Sequence, residues 1–379
     1  MRQKSHISPI LIVLLTIIVL IVVLGSTATA TTITSNAATG NWNAPASWSP
    51  AQVPTSADDV IIATGNVITI SATGAVCNSL TINAAATANG ITFGGVFTLT
   101  VSGAIIMNAP SGAVNSTISV LTGTLSAASI AIPGSATAAH NCIVSVSTGT
   151  INVTGNITFS GTAAQAQLTF TGAGTLNIGG NLGTGGTFTK STGIVNCNGS
   201  LAQTIAGYNY NTVKSNNTAG VTPVAAPTIT TLTIADVTAN SVFNDGGFTV
   251  ATATTLNLNT GTYNCTAAAL PWGTISANTG TVNYALAGTQ TIATSAAYYN
   301  LTISGASGTK TLGGASTCTN LTVNSGPTLA LAAIALTVSG IVNNAGTITG
   351  TTGRIMQTGS SDFTNTSPGS ITFTGAGSL

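Results

Sequence analysis

An all-β fold wound as a parallel solenoid is what this sequence predicts, and three observations predict it. Charge is nearly absent: 3% of the 379 residues are Asp, Glu, Lys or Arg, with no glutamate at all, against roughly 25% in ordinary globular chains. Helices would lack their usual surface residues. Thr, Val and Ile crowd the chain, which sets it apart from disordered sequences of similar polarity. From residue 60 to the end, short alternations of apolar and polar residues recur between Gly, Asn and Ser breaks, as many half-buried strands require.

Residues 1–30 read as a secretory signal peptide. Arg2 and Lys4 form its basic start, Ile10 to Leu24 its apolar run, and Ala28-Thr29-Ala30 a small-residue cleavage site. The other reading is an uncleaved anchor, since the run approaches the spanning minimum of roughly 17 residues; Pro9 and the A-x-A ending favour cleavage. The mature chain then begins near Thr31 with four basic residues against five aspartates. No basic patch remains for nucleic acid, and membrane contact is confined to the signal segment.

Residues 31–59 read as an N-terminal cap. The stretch GNWNAPASWSPAQVPTSADD, residues 40–59, holds two of the three tryptophans, three of the eleven prolines and two of the five aspartates. An end coil exposes unpaired backbone groups and an apolar cross-section, which invites another chain to stack on it. Trp42 and Trp48 supply apolar cover, Pro45, Pro50 and Pro54 remove N–H donors, and Asp58 or Asp59 can accept bonds from free N–H groups. The run VIIATGNVITI, from Val60, is expected to start the first coil.

Residues 60–379 form the repetitive part. A seven-residue unit recurs as LTVSGAI from Leu99, INVTGNI from Ile151, LNIGGNL from Leu176 and LTVSGIV from Leu336; L-T-[IV] opens at Leu80, Leu232, Leu301 and Leu321. A longer copy pair, GTFTKSTGIVNCNGSLAQTIA from Gly186 and GTISANTGTVNYALAGTQTIA from Gly273, is offset by 87 residues, roughly four coils of 21 to 22 residues. Hairpins joined into a sandwich or barrel would also use short strands, but Asn-Gly and Asp-Gly dipeptides are few. Stacked coils explain the small uncharged residues better, and about fifteen of them fit the length.

The pattern G-N-W-x5-W-x4-V-P-x3-D-D-V-x-I, followed by C-N-S-L-T-I, resembles the opening of bacterial secreted β-strand-repeat proteins, many of them adhesin-like. Segments such as LTFTGAGTLNIGGNL and AYYNLTISGASGTKTLGG are similar to the group as well. The resemblance implies a right-handed parallel β-helix and an extracellular or cell-surface setting. A secreted structural or adhesive module without catalytic activity is the resulting expectation, with a glycan-binding module of a larger surface assembly as the alternative; glycans or other surface proteins are the expected partners. The chain stops at ITFTGAGSL, residues 371–379, nearly a copy of LTFTGAGTL from Leu168. That end reads either as a fragment boundary or as an open coil capable of self-association.

Site chemistry is sparse. Cys77, Cys142, Cys197, Cys265 and Cys318 lie 53 to 68 residues apart, two to three coils, whereas a disulfide needs Cα atoms within about 7 Å; they read as core residues. His140, the one histidine after cleavage, reads as a loop residue before a strand, short of the ligands zinc needs. Asp58 with Asp59, or Asp236 with Asp245, offer too few oxygens for most calcium sites and read as turn or cap acceptors. Lys190, Lys214, Lys310 and Arg354 are remote from one another, so no acid/base cluster for a polysaccharide-active enzyme is visible. No catalytic, cofactor or metal residue is therefore assigned. T-x-T pairs could bind ice or a glycan, but their spacing along the sequence is irregular and period-2 strands produce such pairs anyway. N-x-[ST] sequons are no commoner than composition gives.

Overall fold

The computed structural model describes residues 30–379 apart from 85–86, 113, 138–139, 252 and 295–296. Except for Ala30, the signal-peptide reading of residues 1–30 lies outside the described residues. Half of the chain is strand and 2% helix, wound into about 15 parallel turns. The chain is an all-β solenoid.

Each coil runs through up to three strand segments, and each segment stacks on its counterpart in the next coil, so that three ladders run along the rod. In one coil Thr150–Val153 belongs to the first ladder, Ile157–Gly161 to the second and Ala166–Phe170 to the third. They pair in parallel register with residues 124–127, 130–134 and 142–146 of the coil before. Alternation decides which way each side chain faces. Leu99, Leu125, Ile151 and Leu176 occupy one inward column and have no exposed surface. Burying each stabilises the fold by about 1.5–3 kcal/mol. At the corner before this ladder, a Cβ on Gly149 would meet the Gly123 carbonyl oxygen at 2.3 Å. Only glycine lets successive coils close to strand spacing there.

The parallel stack starts one coil earlier than the sequence placed it. Thr32–Ser35 pairs in parallel with Asp59–Ile62, and Thr39–Asn41 with Val67–Ile70. Residues 31–59 thus contain the first coil as well as its cover. That cover is the strand Trp48–Ser49, which pairs with Thr32–Ser35 in the one antiparallel register among the described strands. Reversal of direction ends the second ladder, and Pro50 follows it at once. Trp42 and Trp48 are fully buried with ring centroids 5.1 Å apart, edge to face, and the Trp48 indole N–H donates to the Trp42 carbonyl at 2.7 Å.

A second difference concerns the 87-residue copies, which are not separated by whole coils. Ile194–Cys197 stands in the first ladder, connected through Thr212, Thr231 and Thr255 to Thr274. Its counterpart Thr281–Tyr284 stands in the second, connected through Thr262–Cys265, Val242–Asn244 and Val221–Pro223 to Gln203–Ile205. The offset equals four coils plus one ladder. Individual coils range from 18 residues (Ile194 to Thr212) to 28 (Thr39 to Val67), because corner loops vary while the ladders stay in register. In the final strands, Phe363, Ile371 and Phe373 are only half-buried against the core.

Candidate functional site

The most regular feature of the exterior is the outward side of the first ladder. Strand pairing places Thr98, Thr124, Thr150 and Thr175 in one column, then Ile194, then Thr212, Thr231, Thr255 and Thr274. Eight of these nine positions are threonine. Two residues further along each strand runs a second column, from Thr100 and Ser126 through Asn152, Asn177, Asn196 and Lys214 to Thr233, Asn257 and Ser276. The irregular sequence spacing of T-x-T pairs therefore does not carry over into space: the corners absorb the differences in coil length.

Asparagines of the second column bond from coil to coil. The Asn177 amide donates to Asn152 at 2.8 Å and that of Asn196 to Asn177 at 2.8 Å, while the amide of Asn216, two residues beyond Lys214 and outside the column, donates to Asn196 at 2.7 Å. A similar amide ladder rises on the second ladder, from Asn264 to Asn244 and from Asn283 to Asn264. Beside the first, an open groove of about 370 Å³ is lined by Asn152, Thr154, Asn177, Gly179, Asn198 and Ser200. Its lining offers amides, hydroxyls and backbone, with neither charge nor an aromatic ring.

Asp58, Asp59 and Asp245 serve turns and the cap. Asp58 accepts the Thr31 N–H at 3.1 Å, the Thr55 N–H at 2.8 Å and the Thr55 hydroxyl at 2.6 Å, which ties the cap to the first coil. Desolvation works against the Asp58 carboxylate, but the Thr55 and Thr31 bonds outweigh it and hold its pKa below the ordinary value. Asp59 is also held low, chiefly by the Ser79 hydroxyl and then by the Asn78 amide. Asp245, fully buried, accepts the N–H groups of Gly247, Thr266 and Ala267 and the Thr266 hydroxyl. Asp236 pairs with Lys214 across 2.7 Å on the surface. Asp236 and Asp245 therefore serve separate partners. Among the described residues, no three His, Cys, Asp or Glu converge as metal ligands.

All five cysteines are buried with free thiols. Burial pushes the thiols of Cys77, Cys142, Cys197 and Cys318 up to about 12, and that of Cys265 higher still. His140 sits just before the strand Cys142–Val146, as expected.

The sequence reading treated Lys310 only as remote from the other cations and gave it no place in the fold. It lies inside the rod with no exposed surface, where its ammonium donates to the carbonyls of Leu286 at 2.5 Å, Gly288 at 2.7 Å and Ser307 at 3.3 Å. Burial draws its pKa below the ordinary lysine value. The signal was present: in Thr309–Leu312, alternation puts Lys310 on the same side as Leu312. Gln290, its ladder partner, also points inward and donates to the Cys265 and Ala267 carbonyls while accepting the Leu286 N–H. Gln203, its counterpart in the 87-residue copy, does the same with Ile178, Gly180 and Gly199.

No family model, curated protein or solved structure matches this chain.

Proposed function

We propose that this chain is a non-catalytic structural or adhesive module of a secreted, extracellular or cell-surface protein. The observation that supports it is how six of the nine charged side chains among the described residues are used. Asp58, Asp59 and Asp245 are engaged by turn and cap donors, Lys214 and Asp236 by each other, and Lys310 by three carbonyls. Groups that acid/base chemistry would leave poised toward a substrate are committed to holding corners together. The secretory-type amino end, and the resemblance of residues 40–82 to adhesin-like β-strand-repeat proteins, point to the compartment.

A second reading, a glycan-binding module, is favoured by the open groove along Asn152, Asn177 and Asn198, whose neutral amides and hydroxyls match the hydroxyls of a sugar. A glycan-array screen of the purified mature chain, with product analysis on any bound polysaccharide, tests both. The structural reading expects neither binding nor turnover. Binding that disappears in Asn177→Ala would replace it with the glycan reading, and turnover would refute both.

A further inference from the structure

We propose that the outward side of the first ladder, from Thr98 to Thr274, is a binding surface for ice. This proposal is independent of the adhesive reading. The columns are periodic in two directions: adjacent coils repeat at roughly 4.8 Å, and residues two apart along a strand at roughly 6.6 Å. Threonine has few χ1 choices, so each position presents a hydroxyl and a methyl in a restricted arrangement. The asparagine bonds from Asn152 through Asn177 to Asn196 fix the middle of the neighbouring column, a side-chain ladder of the kind that accompanies flat stacks of strands. Little freedom is left to lose on binding.

The chemistry of the surface narrows the ligand. Its one charged side chain, Lys214, is neutralised by Asp236, so a nucleic acid or an ionic mineral finds no counter-charge. Neither column carries an aromatic ring, so a sugar gains no stacking here and would engage only the short groove along Asn152, Asn177 and Asn198, not a face nine coils long. Two such faces pressed together would dehydrate hydroxyls and amides without complementary partners, which argues against a second copy. The remaining partner must be neutral, repeat over many coils, accept and donate hydrogen bonds, and leave room for methyl groups. Ordered water in a crystal has all four properties. Ile194 interrupts the hydroxyl column once, leaving four threonines on either side.

Ice growth in the presence of the purified chain provides the test. Crystal shaping, a thermal hysteresis gap that widens with concentration, and inhibition of recrystallisation are expected of the wild type. Thr150→Lys combined with Thr231→Lys, both outward substitutions, should abolish all three while leaving the circular dichroism spectrum and melting unchanged. Thr281→Lys, outward on the second ladder, should retain them. Unshaped crystals and no hysteresis with the wild type would overturn the proposal by themselves, whatever the variants do. So would full activity in the double lysine variant. Retention of the chain on insoluble chitin or cellulose, without any effect on ice, would assign the face to a crystalline polysaccharide and overturn it as well.

Discussion

Replacing Lys310 by methionine keeps most of the side-chain volume and removes the ammonium, so the variant isolates what that buried charge does. Two contributions oppose each other. Removing the charge relieves a desolvation penalty of several kcal/mol, which alone would make the variant more stable. Against this, the two shorter bonds, to the carbonyls of Leu286 and Gly288, are charge-assisted and worth about 1.5–3 kcal/mol each, and the acceptors lose their donor. The ammonium is met by three carbonyls, not by a single partner, and the Ser307 contact is longer. We expect the bonds to win by about 2–3 kcal/mol. Repeat arrays seldom unfold in one step, so a global melt would dilute the effect. Hydrogen exchange of the amides in Thr309–Leu312 and Thr328–Ala330 reads it locally, and a loss of that size accelerates exchange by roughly 30- to 150-fold. Exchange in Lys310→Met that is unchanged or slower would show that desolvation dominates and that the carbonyl cage does not stabilise these coils.

Trp42→Ala and Trp48→Ala should each destabilise the end coil by about 3–5 kcal/mol; analytical ultracentrifugation of the double variant should show association through the uncovered edge. Because the Asp58 pKa is depressed in the fold, its contribution is present above its unfolded value of about 3.9 and is lost as pH falls through the folded value. Tryptophan fluorescence should therefore report loosening of the cap below about pH 4, and Asp58→Asn, weakened already at neutral pH, should flatten that dependence. The cysteines should react with a thiol reagent only after denaturation, since burial both hides them and suppresses thiolate; rapid labelling of the native chain, counted by mass, would contradict inward placement.

The fold was legible because alternation is a local property. Any reader of LTVSGAI or TINV can tell which residues face inward, and stacking follows from small uncharged outward residues. Register was not legible, because the coil from Thr98 to Thr124 is eight residues longer than that from Ile194 to Thr212, and only the closed ladder shows that both return the chain to the same phase. The threonine column disappeared in the sequence for that reason. The cap was recognised by its tryptophans, but the first coil beneath it was missed: TITS is too short to stand out, and its partner lies 27 residues on, at Asp59. The burial of Lys310 went unread, although its place in TKTL, two residues before Leu312, already puts it on the inward side.

The offset between the 87-residue copies carries a consequence for how such a chain can grow. A duplicated segment that overshoots a whole number of turns by one third re-enters the rod rotated, so a strand born on one side is copied onto the next. Gln203 and Gln290 show that the copy still works after rotation: each finds two carbonyls and one N–H at its own corner. The heritable unit is therefore the strand with its corner, indifferent to direction around the axis, and lengthening by this route scatters ancestral surface residues over all three sides. A surface uniform along one side, as the threonine column is across its nine coils, cannot be a passive echo of duplication at this offset.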